Sequence, residues 1–181
     1  MGGRAQGTLR FRCEQPSYSI FNRDVERFVL PACRRYGMGA ITFSPLDGGF
    51  LSGRYRGPDE LEGDNRIAYF SRRMRGSFDP QANWVRRKLE CAAQLTELAE
   101  KIGMTLPQLA VAFAMQHPAV TAAIVGPRTM EQLEGLLPAG TLALSAETLD
   151  RIDAIVPPGT SLNPSHYDLP SATTKAELRR I

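Results

Sequence analysis

Two short apolar runs, each leading into a helical pattern, constrain most strongly what this chain can fold into. Residues 39–44 (GAITFS) and 121–125 (TAAIV) have the composition of strands that are buried on both faces. Residues 11–15 form a third, shorter strand candidate. Since strands that alternate with helices form βαβ units around a parallel sheet, the sequence predicts an α/β fold.

Apolar periodicity predicts a helix between the first two strands. In residues 24–36 the apolar side chains recur at the 3.6-residue spacing of an amphipathic helix, and Gly37 is suited to end it. The buried face predicted for this helix consists of Val25, Phe28, Val29, Ala32, Cys33 and Tyr36.

Capping patterns place the later helices. A long helix is predicted over residues 83–101. The next begins at Thr105, because Thr105 and Gln108 have the spacing of a capping box. The same Thr-x-x-Gln pattern recurs at Thr129, where another helix is predicted to begin. A last helix is predicted over residues 145–155, ahead of two prolines.

The order of strands and helices predicts one domain, residues 11–157, flanked by a loose segment on each side. Residues 1–10 are rich in Gly and Arg without any period, so we interpret them as a loose leader. Residues 158–181 form a polar tail that contains proline. Inside the domain, residues 45–80 form a glycine-rich connection whose length is typical of a functional lid or a disordered segment.

Composition excludes several classes of protein. The chain is 43% hydrophobic and 23% charged, and its net charge of +3 does not indicate a nucleic-acid partner. No apolar run reaches the roughly 18 residues of a membrane span, and the first residues lack a signal-peptide core. Cys13, Cys33 and Cys91 are widely spaced, so we expect neither a disulfide framework nor a metal site. We therefore expect a cytoplasmic protein.

Small residues and arginines follow two of the predicted strands. The first junction is residues 43–56 (FSPLDGGFLSGRYR), and the second is residues 124–135 (IVGPRTMEQLEG). Ligands of α/β proteins bind at the carboxyl ends of the strands, where such loops gather. Glycine lets backbone N–H groups approach a phosphate, arginine offers it a bidentate partner, and a helix N-terminus favours an anion. The residues alone thus predict an anionic, phosphorylated ligand.

Four ordered blocks resemble a known family. Residues 15–23 (QPSYSIFNR), 41–55 (ITFSPLDGGFLSGRY), 106–134 (LPQLAVAFAMQHPAVTAAIVGPRTMEQLE) and 144–153 (LSAETLDRID) resemble the C-terminal half of the aldo-keto reductases. The similar branch is the long-loop one, which includes potassium-channel β-subunits and bacterial reductases. The resemblance implies a partial TIM-type (β/α) barrel, consisting of the last three βα units and the C-terminal helices.

The same resemblance implies a binding site for NADP(H). Gln15 matches the glutamine that bonds the nicotinamide carboxamide, and Phe43 matches the aromatic residue that stacks on the nicotinamide ring. Arg54 matches a basic residue at the phosphates, and Arg66 matches, less closely, an arginine near the 2′-phosphate. The remaining matched positions form the pyrophosphate loop and the last phosphate- and adenosine-binding loop: Ser44, Pro45, Leu46, Gly48, Leu51, Gly126, Arg128 and Gln132.

The chain departs from the family's pattern in two ways. Gly135 and Leu136 stand where the family usually has an acidic residue and an asparagine that contact adenine. The family's catalytic Tyr, Asp, Lys and His lie on the first four strands, which have no counterpart here. No catalytic residue is therefore predicted, and we expect the chain to be inactive alone.

Some of these positions also have structural interpretations. Phe43 could be a core residue, and the glycines of the first junction could simply permit turns. Gln132 would suit a capping box without any ligand. His117 ends a predicted helix and is interpreted as a C-terminal capping cation. Cys33 and Cys91 fall on helix core faces, where a thiol is an ordinary apolar group.

Three functions remain open. The first is the cofactor half of an NADP(H)-dependent oxidoreductase of aldehydes and ketones. The second is a non-catalytic NADPH-binding regulatory module, and the third is a gene fragment without present function. Because a three-stranded sheet leaves its edges open, we expect a complementing N-terminal chain or self-association.

Overall fold

The computed structural model describes residues 10–61, 66–69 and 79–162. These residues contain a parallel three-stranded sheet in the order β1-β2-β3, formed by Cys13–Glu14, Gly39–Thr42 and Val120–Ala123. The predicted α/β class is confirmed. The described strands do not close into a barrel, because β1 and β3 are edges with no further strand beyond them in this part of the chain.

Helices connect and cover the strands. Between β1 and β2 lies α1 (Val29–Tyr36), and between β2 and β3 lie α2 (Asn83–Lys101) and α3 (Leu106–Gln116). After β3 come α4 (Met130–Leu136) and α5 (Ala146–Ile155). Shorter helical turns are Asp24–Glu26, Asp47–Ser52, Pro58–Leu61, 66–69 and Leu137–Gly140. No helix of the described residues is long and apolar enough to cross a membrane.

The helix ends agree well with the local sequence signals. Thr105 Oγ1 accepts from the backbone N of Gln108 at 3.4 Å, and Gln108 Oε1 accepts from the backbone N of Thr105 at 3.0 Å. This reciprocal pair confirms the predicted capping box. Gly37 ends α1 in the left-handed conformation, with φ of 63°. The predicted bounds of α2 are confirmed as well.

The helix predicted from residue 24 is interrupted. A 3-10 turn comes first, and the backbone of Phe28 (φ −139°, ψ −45°) is not helical, so α1 begins at Val29. The interruption rotates the later residues relative to the earlier ones. The predicted buried face was therefore wrong at Phe28 and Tyr36, which are exposed, while Leu30 and Cys33 enter the core.

Among the described residues, helices cover one face of the sheet and leave the other open. Ala40 and Thr42 of β2 are fully buried, whereas Ile41 is half-buried. The residues of β3 are half-buried or exposed, and Ile124, just after it, is 43% exposed. The prediction of burial on both faces was wrong, because α1 and α3 pack on the strands but no described layer covers the opposite side.

The far end of the described chain packs back on the segment after β1. The backbone N of Arg23 donates to Thr160 O, and the backbone N of Leu162 donates to Phe21 O, both at 2.8 Å. Leu162 is itself buried. Residues 160–162, which the sequence assigned to a loose tail, are thus ordered against the core. Residues 163–181 and the predicted leader up to residue 9 lie outside the described residues.

Candidate functional site

A groove with a volume of about 950 Å³ lies at the carboxyl ends of β2 and β3. One wall is the chain that follows β2, from Phe43 to Arg56, together with Arg66. The opposite wall follows β3, from Ile124 to Arg128, and continues along α4. The end of α2 and the start of α3 complete the lining with Glu100, Met104 and residues 105–108. The site therefore forms where parallel sheets commonly bind ligands.

The wall after β2 is a tightly turned loop. Ser44 and Asp47 have positive φ angles of 58° and 48°, which are uncommon for residues other than glycine. Gly48 and Gly49 follow with φ of 70° and 119°. The backbone N of Asp47 donates to Ser44 O and that of Gly49 donates to Leu46 O, both at 2.9 Å. The glycines are therefore required by the turn itself, which leaves their contribution to ligand binding to be tested separately.

In the wall after β3, backbone amides are hydrogen-bonded to side chains of the same segment. Thr129 Oγ1 accepts from the backbone N of Gln132 at 3.2 Å, which is one half of the predicted capping box. Gln132 Oε1 accepts from the backbone N of Arg128 at 2.9 Å, rather than from Thr129. Two amides at this helix N-terminus thus already have side-chain partners. The attraction for an anion here comes chiefly from the guanidinium of Arg128, which is exposed beside the groove.

Phe43 stands at the groove and not in the core. Its backbone is fixed on both sides, since its N donates to Pro16 O at 3.0 Å and its O accepts from the backbone N of Tyr18 at 3.1 Å. The side chain is 41% exposed and lines the groove. The core interpretation of Phe43 was therefore wrong, and its ring is available to a ligand.

All of the predicted cofactor-binding positions line the groove except Gln15 and Leu51. Gln15 is exposed on the segment after β1 and does not line the groove. The Leu51 side chain is fully buried, and its backbone N donates to Leu46 O at 3.2 Å. Ten predicted positions do line it: Phe43, Ser44, Pro45, Leu46, Gly48, Arg54, Arg66, Gly126, Arg128 and Gln132.

Sequence reasoning missed the wall contributed by α2 and α3. Gln108 Nε2 donates to Gly135 O at 2.9 Å, which ties the start of α3 to α4 across one end of the groove. Gly135 and Leu136, the two positions at which the sequence departs from the family's pattern, line this end. The capping pattern identified Gln108, but nothing local in the sequence predicts its second partner.

The groove has a positive balance of charge. Arg54, Arg56, Arg66 and Arg128 line it, and Glu100 at the end of α2 is the acidic residue among the described lining residues. Arg56 was not among the predicted positions, although it ends the first glycine-rich junction. Several guanidinium groups around one groove favour a ligand with more than one anionic group.

A buried polar cluster lies among the segment after β1, α3 and α5. Tyr18 Oη donates to Glu26 Oε1 at 2.7 Å, and Arg23 Nε donates to the same oxygen at 2.8 Å. Arg23 Nη1 also donates to Asp153 Oδ1 at 2.7 Å. Burial and the neighbouring Glu26 raise the pKa of Tyr18, so its phenol stays protonated. These hydrogen bonds connect the segment after β1 with itself and with α5, and none of them involves a residue that lines the groove.

His117, Cys33 and Cys91 are titratable groups that pack in their neutral form. Burial lowers the pKa of His117, and His117 Nδ1 accepts from the backbone N of Ala119 at 3.2 Å. The interpretation of His117 as a capping cation was therefore wrong, since its ring acts as a neutral acceptor. Cys33 and Cys91 are buried, as predicted, and burial raises the pKa of both thiols.

The fold and the groove define an α/β protein with a ligand site at the carboxyl edge of a parallel sheet. A family model described as the aldo/keto reductase family matches residues 4–157. The chain belongs to this family, which confirms the resemblance found in the four sequence blocks.

Individual relatives agree with the family assignment. The chain is 30% identical over 154 residues to an uncharacterised oxidoreductase, YrpG, of Bacillus subtilis strain 168, with 85% of this chain and 43% of that protein covered. It is 32% identical over 146 residues to a putative voltage-gated potassium channel subunit beta of Schizosaccharomyces pombe, with 79% and 41% covered. A probable subunit of the same kind from Oryza sativa subsp. japonica is 32% identical over 146 residues, with 79% and 43% covered. The chain thus spans about two fifths of the length of these relatives.

Proposed function

We propose that this chain binds NADP(H) in the groove and provides the cofactor-binding half of a carbonyl or alcohol oxidoreductase. The observation that carries the proposal is the convergence of separate sequence blocks on one groove. Phe43 and Arg54 lie 72 to 85 residues before Gly126 and Arg128 in the chain, yet all four line the groove. A structural role alone gives no reason for arginines from different segments to surround one groove at the carboxyl edge of the sheet.

The lining residues suit the parts of a dinucleotide. Arginine pairs with phosphate through two parallel hydrogen bonds, so Arg54, Arg66 and Arg128 are proposed to contact the phosphates. Phe43 offers an exposed ring face for stacking on the nicotinamide. Met104, Leu106 and Leu136 line the end of the groove that is proposed to receive the adenine, where they would provide apolar packing. The bound cofactor would supply hydride transfer, while these residues would hold and orient it.

Turnover is proposed to require groups from outside this chain. Reduction of a carbonyl needs a proton donor within hydrogen-bond reach of the carbonyl oxygen. The family's catalytic residues have no matching positions in these 181 residues. We therefore propose that the chain alone binds NADPH without oxidising it, and that a complementing N-terminal chain or self-association completes the site.

A regulatory module is the second candidate function. It is favoured by the two relatives whose names describe them as potassium channel subunit beta. This function also predicts NADPH binding without turnover, so binding alone does not separate the two. A partner that restores NADPH-dependent reduction of aldehydes supports the oxidoreductase half. A partner that binds the chain without any turnover supports the regulatory module.

A titration of the purified chain tests the common part of both functions. NADPH fluorescence is followed as protein is added, with NADH as the comparison ligand. We expect saturable binding that prefers NADPH. Arg128→Met should weaken it by about tenfold, since one charge-assisted contact to phosphate is lost.

Arg151→Met provides the matched control, because Arg151 lies on an exposed face of α5 away from the groove. It should bind NADPH as the unchanged chain does. No binding at millimolar cofactor would contradict the proposal, and so would equal losses in the two variants.

A further inference from the structure

Lys88 places a cation inside the core directly behind the groove. It is 2% exposed, and its Nζ lies 4.6 Å from the ring centroid of Phe50 and 5.3 Å from that of Trp84. Nζ also forms an ion pair with Asp47 Oδ2. Burying an ammonium group costs free energy unless the group is paired and hydrogen-bonded, so we expect a buried lysine to have a specific role.

The partner of Lys88 belongs to the loop that forms the groove wall. Asp47 begins the Asp47–Ser52 turn and has a left-handed φ of 48°. Its neighbours Leu46, Gly48 and Gly49 line the groove, whereas neither Asp47 nor Lys88 does. The ion pair therefore acts on the rear of the loop and leaves the front of the loop to face the groove.

The loop is one that needs external support. Left-handed backbone at Ser44 and Asp47 is unfavourable for residues with a side chain, and Gly48 and Gly49 give the chain many alternative conformations when it is not held. The turn is closed by local hydrogen bonds, and the buried side chains of Phe50 and Leu51 hold its later part in the core. The pair from Asp47 to Lys88 connects it to α2, the longest described helix.

We propose that Lys88 is a positioning residue, which holds the Asp47–Ser52 turn in the conformation that receives the pyrophosphate of the cofactor. This inference rests on the proposed function for its ligand, but the loop order it predicts is measurable without any ligand. A preorganised loop raises affinity because less conformational freedom is lost on binding.

The test uses three variants of the full chain. Lys88→Met removes the charge and keeps an unbranched apolar side chain against Phe50 and Trp84. Asp47→Asn combined with Lys88→Met removes both charges, so no buried carboxylate loses its partner. Lys101→Met is the matched control, because Lys101 is an exposed lysine at the end of the same helix.

Two readouts separate positioning from general stability. Amide hydrogen exchange in residues 44–53 should become at least about tenfold faster in Lys88→Met and in the double variant, while α3 keeps the exchange of the unchanged chain. NADPH affinity should fall by about tenfold in both variants. The Lys101→Met variant should change neither quantity.

The outcomes distinguish this inference from the proposed function. If the unchanged chain fails to bind NADPH, the proposed function is wrong, and the loop exchange still decides whether Lys88 positions the turn. If the unchanged chain binds, and the double variant matches it in both loop exchange and affinity, the inference is overturned. Should Lys88→Met fail to fold, the double variant alone carries the comparison.

Discussion

At the scale of single residues, Arg23 is a buried cation that depends on its acidic partners. Its guanidinium is almost fully buried between Glu26 and Asp153, above the ring of Phe113 at 5.0 Å. Burial alone would lower the pKa of Arg23, but the hydrogen bonds to Glu26 and Asp153 raise it, so it remains charged. The pairs therefore join the segment after β1 to α5 through a permanent cation.

Replacing Arg23 should destabilise the whole domain. Arg23→Met leaves Glu26 in the core without its cationic partner, and we expect a loss of about 3 kcal/mol in the free energy of unfolding. Arg151→Met is the comparison, since its contact with Glu147 is long (3.9 Å) and exposed. That variant should change stability by less than about 0.5 kcal/mol. Urea unfolding followed by circular dichroism measures both, and similar losses would contradict the assignment.

His117 should make stability depend on pH. Because burial lowers its pKa in the folded chain, the unfolded chain binds more protons as the pH falls through the ordinary histidine value, about 6.5. Protonation thus favours unfolding, and the free energy of unfolding should decrease from about pH 7.5 to about pH 5.5. His117→Asn should flatten this part of the profile. An unchanged slope in the His117 variant would refute the prediction.

The residues whose roles could be predicted from the sequence are those whose roles follow from neighbouring residues or from a motif. Phe43, Arg54 and Arg128 belong to the two junctions at the ends of predicted strands, so the carboxyl-edge rule placed them at one edge of the sheet. Lys88 could not be recognised, because its ion-pair partner is 41 residues away and its helical pattern treats it as one more polar position. Leu51 shows the reverse, since its motif position predicted a ligand contact while the fold buries it.

At the scale of elements, local sequence signals predicted where helices begin and end better than they predicted how deeply strands are buried. The Thr105 capping box, Gly37 and the period of α2 involve neighbouring residues only, and the structure follows them. Burial of a strand depends on which layers cover it, which the strand's own residues do not encode. For β3, the apolar run predicted two buried faces, yet it is an edge strand in the described sheet.

The junction after β3 permits a test of ligand approach without disturbing the fold. A methyl group at Gly126 would meet nothing within 4 Å, and Gly126 is not in the left-handed region. Gly126→Ala should therefore leave stability within about 0.5 kcal/mol, or raise it slightly by restricting the unfolded chain. If a ligand closely approaches this backbone, NADPH affinity should fall by about tenfold.

Gly57→Ala is the control for the Gly126 prediction. Gly57 also has open space and no left-handed φ, but it does not line the groove. It should alter neither the melting temperature nor the NADPH titration. Equal NADPH binding by the Gly126 variant and the unchanged chain would mean that this glycine serves the turn alone.

At the scale of the whole molecule, the described sheet has an uncovered face and two open edges. Phe11, next to β1, is 88% exposed, and Ile124, after β3, is 43% exposed. Open edges beside apolar side chains favour pairing with another chain. The relatives, of which this chain spans about two fifths, have further chain that could occupy these positions.

The 181-residue chain should therefore self-associate through the edge of β1. We expect sedimentation velocity to show a concentration-dependent dimer or larger species at tens of micromolar. Phe11→Lys should shift the equilibrium towards monomer, since a charge at an open edge blocks pairing. Phe28→Lys is the matched control, because Phe28 is 78% exposed but lies just before α1 rather than beside β1. A chain that stays monomeric throughout, or that responds equally to the two substitutions, would show that the β1 edge does not drive assembly.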